Sequence, residues 1–345
     1  MTEEWKELAN CALCPNMCRF DCPVEAATGR EAQSPAGKAR LGYAFVQATQ
    51  ADRAAEALGA CTGCRRCTSH CPRGGTAVLS ELLRCVRGRL PATEATDTYV
   101  RHGNPYGFPQ PAPQAGTGKI AYFPGCTLRV RRPEALAAAE AVFAALKLEP
   151  VTISDPVCCG YPAAVAGREE LVAQAARAVQ AALAKAGART LVTGCPHCAH
   201  TLTAGYAQAG CRLEAEVTPF AVFIHDLIPS SPPAATTYAC HDPCTLARGL
   251  NQGDAIGRLL GRMGLAAVRP PRRAGADTRC CGGGELFSLR SPDVAAAIAA
   301  RRGAELKLGP TDVITACPFC HELLAAAMPG HRLWDIAEVV LAWMT

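Results

Sequence analysis

Two adjacent thiols followed by glycine occur twice in this chain, at Cys158-Cys159-Gly160 and at Cys280-Cys281-Gly282. Neighbouring cysteines serve one tetrahedral zinc only with strain, whereas on a metal cluster they can reach different iron atoms. Each pair is followed by a Cys-Pro-x-Cys element, Cys195 to Cys198 and Cys317 to Cys320. The offset between copies is 122 for the pair and for both later cysteines, which marks an internal duplication. Upstream, PGCTLR and DPCTLAR align Cys126 with Cys244 at an offset of 118. That alignment sets Cys240 opposite Tyr122, inside a strand, and reads it as a small buried hydrophobe. Cys85 and Cys211 fall outside both patterns and receive the same reading.

Two further cysteine runs occupy residues 1 to about 90: Cys11-x2-Cys14-x3-Cys18-x3-Cys22-Pro23 and Cys61-x2-Cys64-x2-Cys67-x3-Cys71-Pro72. The second has bacterial ferredoxin spacing, in which three close thiolates wrap a cubane and the fourth, before proline, turns to the other cluster. Cys11, Cys14 and Cys18 therefore pair with Cys71, and Cys61, Cys64 and Cys67 with Cys22. The first run carries one extra residue between its second and third cysteines. Cys-x2-Cys pairs also bind zinc, but paired runs each ending in Cys-Pro favour two 4Fe-4S clusters.

These thiols need elements to position them. Between the runs, helix-like apolar spacing and prolines suited to a first helical turn predict an all-helical module. Residues 101–118 have the Pro and Gly density of an irregular linker. Beyond it KIAYF, VTISD and LVTG read as strands alternating with helices, one opened by Pro133 and one ending at Gly187. Such alternation implies a largely parallel sheet with cysteines at strand ends. The expected division is 1–100, the helical ferredoxin-like domain; 101–118, the linker; 119–232, the first cysteine-rich domain; and 233–345, the second.

The chain has 345 residues, 21 of them cysteine, and 49% hydrophobic residues, enough for a sizeable core. The opening MTEEWKELAN is acidic and lacks an apolar core region, so no export signal is expected and the chain is read as cytoplasmic. Without export, fixed cysteine spacing reads as metal or redox sites and not as disulfides. A net charge of +5 without basic blocks gives no support for nucleic acid as a partner. No G-x-G-x-x-G unit follows a strand, so the hydride acceptor is expected on a separate protein.

The order cysteine run, G-x-E-x-x-S-P-x-G-K-x-x-L from Gly29 to Leu41, second run, then SELLR resembles the N-terminal module of the glycolate oxidase iron-sulfur subunit. It is similar also to the iron-sulfur subunits of anaerobic glycerol-3-phosphate dehydrogenase and to the heterodisulfide reductase family. The resemblance implies an α/β chain in which an N-terminal all-helical two-cluster ferredoxin module precedes two duplicated α/β cysteine-rich domains. It implies one 4Fe-4S cluster on Cys126, Cys158, Cys159, Cys195 and Cys198, and another on Cys244, Cys280, Cys281, Cys317 and Cys320. Five thiols suit a noncubane cluster or a cubane with one spare cysteine. His197, His241, His321 and Glu285 neighbour these motifs as candidate proton carriers or sulfur hydrogen-bond donors. Arg129 and Arg248 are candidates for holding an anionic substrate or balancing cluster charge.

The implied function is electron transfer in a flavin-dependent dehydrogenase complex. An FAD-dependent subunit would oxidise glycolate, lactate or glycerol-3-phosphate, and the acceptor would be a quinone or another membrane-associated carrier, with the chain peripheral at the inner membrane face. The alternatives are a heterodisulfide-reductase-like catalytic subunit that splits a disulfide at noncubane clusters, and a cluster-carrying scaffold without turnover.

Overall fold

The structure, a computed structural model, describes residues 3–14, 17–46, 57–71, 79, 83, 86–88, 90, 92–109, 111 and 116–345. The N-terminal part is helical, with helices Glu3–Leu13, Pro23–Thr28, Pro35–Val46 and Arg66–His70, and no strand among the described residues before 120. Pro23 and Pro35 open their helices, where a missing N–H costs nothing. Helix Glu3–Leu13 packs along Pro35–Val46, and Leu8, Ala39, Leu58 and Val86 form a small core there.

The remainder holds two parallel four-stranded sheets. The first contains β1 Ile120–Phe123, β2 Val151–Thr152, β3 Thr190–Thr193 and β4 Glu216–Pro219, in the order β2-β1-β3-β4. The second contains β5 Thr237–His241, β6 Ala266–Val268, β7 Asp312–Thr315 and β8 Arg332–Asp335, in the order β6-β5-β7-β8. The duplication read from cysteine spacing is thus a duplication of topology. VTISD forms a strand only over Val151–Thr152, paired with Ala121 and Tyr122, and Ile153 adds one more bond to the Tyr122 carbonyl. The helix Glu169–Ala186 ends at Gly187, whose φ of 68° is the left-handed stop.

The two halves share one apolar core. Helix Pro133–Ala145 packs on helix Ile336–Met344, and Phe143 meets Tyr122 and Phe220 edge-on at 5.1 and 5.6 Å. Cys240 lies in this core, fully buried with Ile256, Leu260 and Ile314, and its thiol faces the Tyr238 carbonyl at 3.6 Å. Cys211 is half-buried at the margin of the first-half core, and Cys85 lies outside the described residues.

Of the linker, residues 101–102 close the helix Glu94–His102, and the described residues beyond it are irregular yet packed. Fully buried Asn104 donates to the carbonyls of His102 and Phe108, Tyr106 and Phe108 lie on the first-half core, and the Tyr106 hydroxyl donates to Thr127 at 3.2 Å. Helix Glu94–His102 packs on the same half, through Tyr99.

Replacement of Cys240 tests its structural role. Cys240→Ala is expected to cost about 1 kcal/mol in anaerobic thermal unfolding, from lost burial and a small void, with iron content unchanged. A loss of iron would make it a ligand.

Candidate metal centre

In a doubly wound sheet the loops leaving the strand C-termini converge, and the thiols sit on them. Cys126 follows β1, Cys195 follows β3, Cys244 follows β5 and Cys317 follows β7. Pro196 and Pro318 start helices directly after Cys195 and Cys317, so Cys198 and Cys320 fall in the first turn beside them. Gly125 takes a φ of 77°, and a Cβ there would come within 2.9 Å of the Cys198 sulfur. Only glycine allows that approach.

In the first half, the Cys126 and Cys158 sulfurs are 3.7 Å apart. Hydrogen bonds from Cys158 and Cys198 hold Cys159 well below the usual thiol range. All five thiols of this half line a cavity of about 1250 Å³, with Tyr161 on its wall. In the second half, the Cys281 and Cys320 sulfurs are 3.0 Å apart, and the Gly282 N–H donates to the Cys280 sulfur at 3.2 Å.

His197 stands between the halves. Its Nδ1 is 3.8 Å from the Cys317 sulfur and its Nε2 3.2 Å from the Thr245 hydroxyl. Hydrogen bonds from Cys198 and, against burial, from His197 draw Cys195 down to about 6. The ring packs between Tyr161 at 4.9 Å and Phe319 at 5.0 Å. Phe319 is its own counterpart at the offset of 122.

In the helical module, Cys22, Cys61, Cys64 and Cys67 line one cavity of about 310 Å³, which extends to Cys244. Burial pushes the Cys61 thiol up to about 11 and Cys67 well above the usual range, with neighbouring thiols adding to both. Buried Lys38, whose Nζ donates to the Gln33 carbonyl, opposes this rise at Cys22 and Cys61. Cys18 is raised to about 11 by burial, then by Cys14 and Cys11. Cys18 also raises Cys67, so the two sets adjoin. Cys14 is exposed, and Cys71 ends the helix Arg66–His70, which packs on the turn Met17–Asp21.

The helical module meets the second half directly. A hydrogen bond with Cys280 is the main influence drawing Cys64 down to about 5. Around this contact Asp21 accepts from Arg66 at 2.9 Å and from Arg279 at 2.7 Å, and Arg66 also pairs with Asp277. All-sulfur donor sets, mostly buried and adjoining one another, fit iron-sulfur clusters: no single tetrahedral ion uses five thiols.

Most of the other candidate residues near these motifs have partners of their own. Arg248 turns most of its donors to backbone: its Nε donates to the Cys64 carbonyl at 2.7 Å and its Nη1 to the Ala276 and Thr278 carbonyls at 2.8 Å each, while its Nη2 is buried without a partner among the described residues and its charge helps to lower Cys64. Arg129 lines neither thiol cavity; Glu140 is the charge that acts on it most, and its Nε and Nη2 are buried without partners among the described residues. His321 is tied to the Leu333 carbonyl through Nε2 at 2.9 Å, which fixes it on β8. Glu285 is ion-paired to Arg87 at 2.8 Å and lines the smaller cavity. Lys38 and Tyr161 were missed as site residues, although one stands in the G-K motif and the other directly follows Gly160.

The cysteine-rich domain family matches residues 120–203 and 238–325, and the 4Fe-4S dicluster domain family matches residues 7–75. A fumarate reductase (CoM/CoB) subunit of Methanothermobacter marburgensis is 27% identical, over 97% of this chain and 71% of that protein. A dihydromethanophenazine:CoB–CoM heterodisulfide reductase subunit of Methanosarcina mazei is 25% identical, over 97% and 92%. A probable membrane-anchored ferredoxin of Chromohalobacter salexigens is 26% identical over 91% of this chain, which spans 51% of that relative. Among the described residues, no helix is long and apolar enough to cross a membrane.

Gly125→Ala is expected to empty the first-half site, lowering anaerobically measured iron by about four per chain. Arg248→Ala is expected to destabilise the module contact by roughly 2–3 kcal/mol, read by anaerobic thermal unfolding.

Proposed function

The chain belongs to the iron-sulfur family of heterodisulfide reductase and glycolate oxidase type, which joins a 4Fe-4S dicluster domain to two cysteine-rich domains, and on that premise we propose that it is the electron-carrying subunit of a flavin-dependent dehydrogenase complex. The observation that carries this reading is the unbroken series of thiol sets, from exposed Cys14 through Cys18, Cys67 and Cys64 to Cys280. Four clusters would occupy it: Cys11, Cys14, Cys18 and Cys71; Cys22, Cys61, Cys64 and Cys67; and five cysteines in each half.

Bound iron-sulfur clusters supply reversible one-electron transfer. The chain's own residues hold the thiolates in order, exclude water and balance charge. Lys38 sets a buried cation beside Cys22 and Cys61. Arg248 fixes the Cys64 loop on the second half, and His197 spans the gap between Cys195 and Cys317.

Hydride removal from a small 2-hydroxy acid or glycerol-3-phosphate belongs to the flavoprotein partner. The acceptor is a quinone or another membrane-associated carrier, with this chain peripheral to the membrane. A second reading, disulfide cleavage at the first half, is favoured by the cavity of about 1250 Å³ that opens on its five thiols.

Anaerobic analysis is expected to find about sixteen irons per chain, and about eight would leave both halves without clusters. Photoreduced free flavin, as an electron donor, is expected to bleach the cluster absorbance; unbleached clusters would fit a scaffold. Addition of a dithiol separates the two catalytic readings: the relay predicts an unchanged paramagnetic spectrum, and disulfide cleavage predicts a perturbed one.

A further inference from the structure

The two halves match in cysteines and differ in what surrounds them. His241 ends β5 and is fully buried. One of its ring nitrogens and the sulfurs of Cys281 and Cys320 all lie within 4.8 Å of one another. At the offset of 118 that aligns Cys126 with Cys244, the first half has Phe123 in this position, which offers no hydrogen bond.

The protonation of His241 is imposed from behind. Arg302, 1% exposed, donates its Nε–H to His241 Nδ1 at 3.1 Å. A guanidinium only donates, so Nδ1 accepts and the imidazole proton resides on Nε2. Arg302 is itself locked, donating to Glu305 at 3.0 Å and to the Arg273 carbonyl at 3.1 Å. His241 Nε2 is buried without a hydrogen-bond partner among the described residues, and the Cys281 and Cys320 sulfurs lie within 4.8 Å of the ring's nitrogen edge, where cluster sulfur would stand. As a metal ligand, Nε2 would need a free lone pair while Nδ1 still accepts from Arg302, which leaves a neutral imidazole with no place for its proton. The arrangement therefore makes it a donor.

We propose that His241, oriented by Arg302, donates its Nε2–H to sulfur at the second-half site and thereby gives that site a higher reduction potential than its duplicate. A hydrogen bond to cluster sulfur stabilises the reduced, more negative state, so it raises the potential. His197 does not create this difference, because it faces Cys195 of one half and Cys317 of the other. The duplicated sites are thus a graded pair. This inference rests on the cluster reading of both halves.

The test is an anaerobic potentiometric titration followed by electron paramagnetic resonance. His241→Phe installs the residue used in the first half. It is expected to shift one cysteine-rich-domain signal by about tenfold in its reduction equilibrium, ~59 mV downward for a one-electron couple, with the ferredoxin signals unmoved. Arg302→Met is expected to move the same signal in the same direction, and Arg302→Lys, which keeps an N–H donor, to move it less. In the unmutated protein, labelling histidine with ¹⁵N is expected to give a weak nitrogen coupling to that signal. A strong, ligand-type coupling, no coupling at all, or an unmoved potential at full iron content would overturn the role of His241. An iron content of only two clusters would instead overturn the cluster reading, and this inference with it.

Discussion

One guanidinium holds the electron-carrying series together. Arg248 donates to the carbonyls of Cys64, Ala276 and Thr278, joining the ferredoxin loop to two neighbouring segments of the second half. Its planar fork can meet several carbonyls at once, which a lysine ammonium cannot do with the same geometry. The turn Thr245–Gly249, wound wider than an α-helix after Cys244, presents Arg248 to that loop and Thr245 to His197. With the loop pinned, the Cys64 thiol meets Cys280. The ion pairs of Asp21, Arg66, Asp277 and Arg279 extend the same join, and Glu305 carries it on to Arg302. The seam that docks the module is therefore continuous with the groups that orient His241.

Duplication supplied a frame and left each copy free to diverge inside it. The strand orders are the same, yet His197 is matched by Phe319 and Phe123 by His241. These exchanges set the two halves in different surroundings. The first opens all five thiols onto a large cavity walled by Tyr161 and Phe319. The second is closed against the ferredoxin loop through Cys64 and Cys280, with buried His241 at Cys281. A symmetric ligand set thus joins two unlike environments, one facing space and one facing the module.

What the sequence disclosed was whatever depends on local spacing. Cysteine runs, Cys-Cys-Gly pairs and Cys-Pro-x-Cys turns are determined within a few residues, and so are the helix stop at Gly187 and the helix start at Pro133. The burial of Cys240 followed from alignment with a strand position. The roles of Arg248, Glu285 and His321 did not follow, because their partners lie on remote segments: Cys64, Arg87 and Leu333. A charged residue beside a metal motif reads as functional in a linear string, and only the fold shows whether it turns toward the thiols or toward a carbonyl. Tyr106 and Phe108 illustrate the reverse, since a Pro- and Gly-rich stretch looks unstructured until its aromatic residues find a surface.

The turn after Cys280-Cys281-Gly282 shows how far the packing constrains the backbone. Glu285 and Leu286 have φ values of 56° and 50°, a left-handed conformation uncommon for residues other than glycine. Such a pair persists only where surrounding contacts outweigh its cost. The Glu285 N–H donates to the Tyr161 hydroxyl at 2.7 Å, its carboxylate pairs with Arg87, and its carbonyl accepts from Arg290 at 2.7 Å. On the module side, a Cβ on Gly63 would lie 2.7 Å from the Glu285 side chain, and one on Gly284 would overlap the Thr62 carbonyl. The chain therefore needs glycine on both surfaces where the wedge enters. Glu285 turns toward the ferredoxin cavity while Leu286 faces the first-half cavity. A strained turn from the second half thus contacts both the module and Tyr161 of the first, which ties the spacing of all three parts to one short segment.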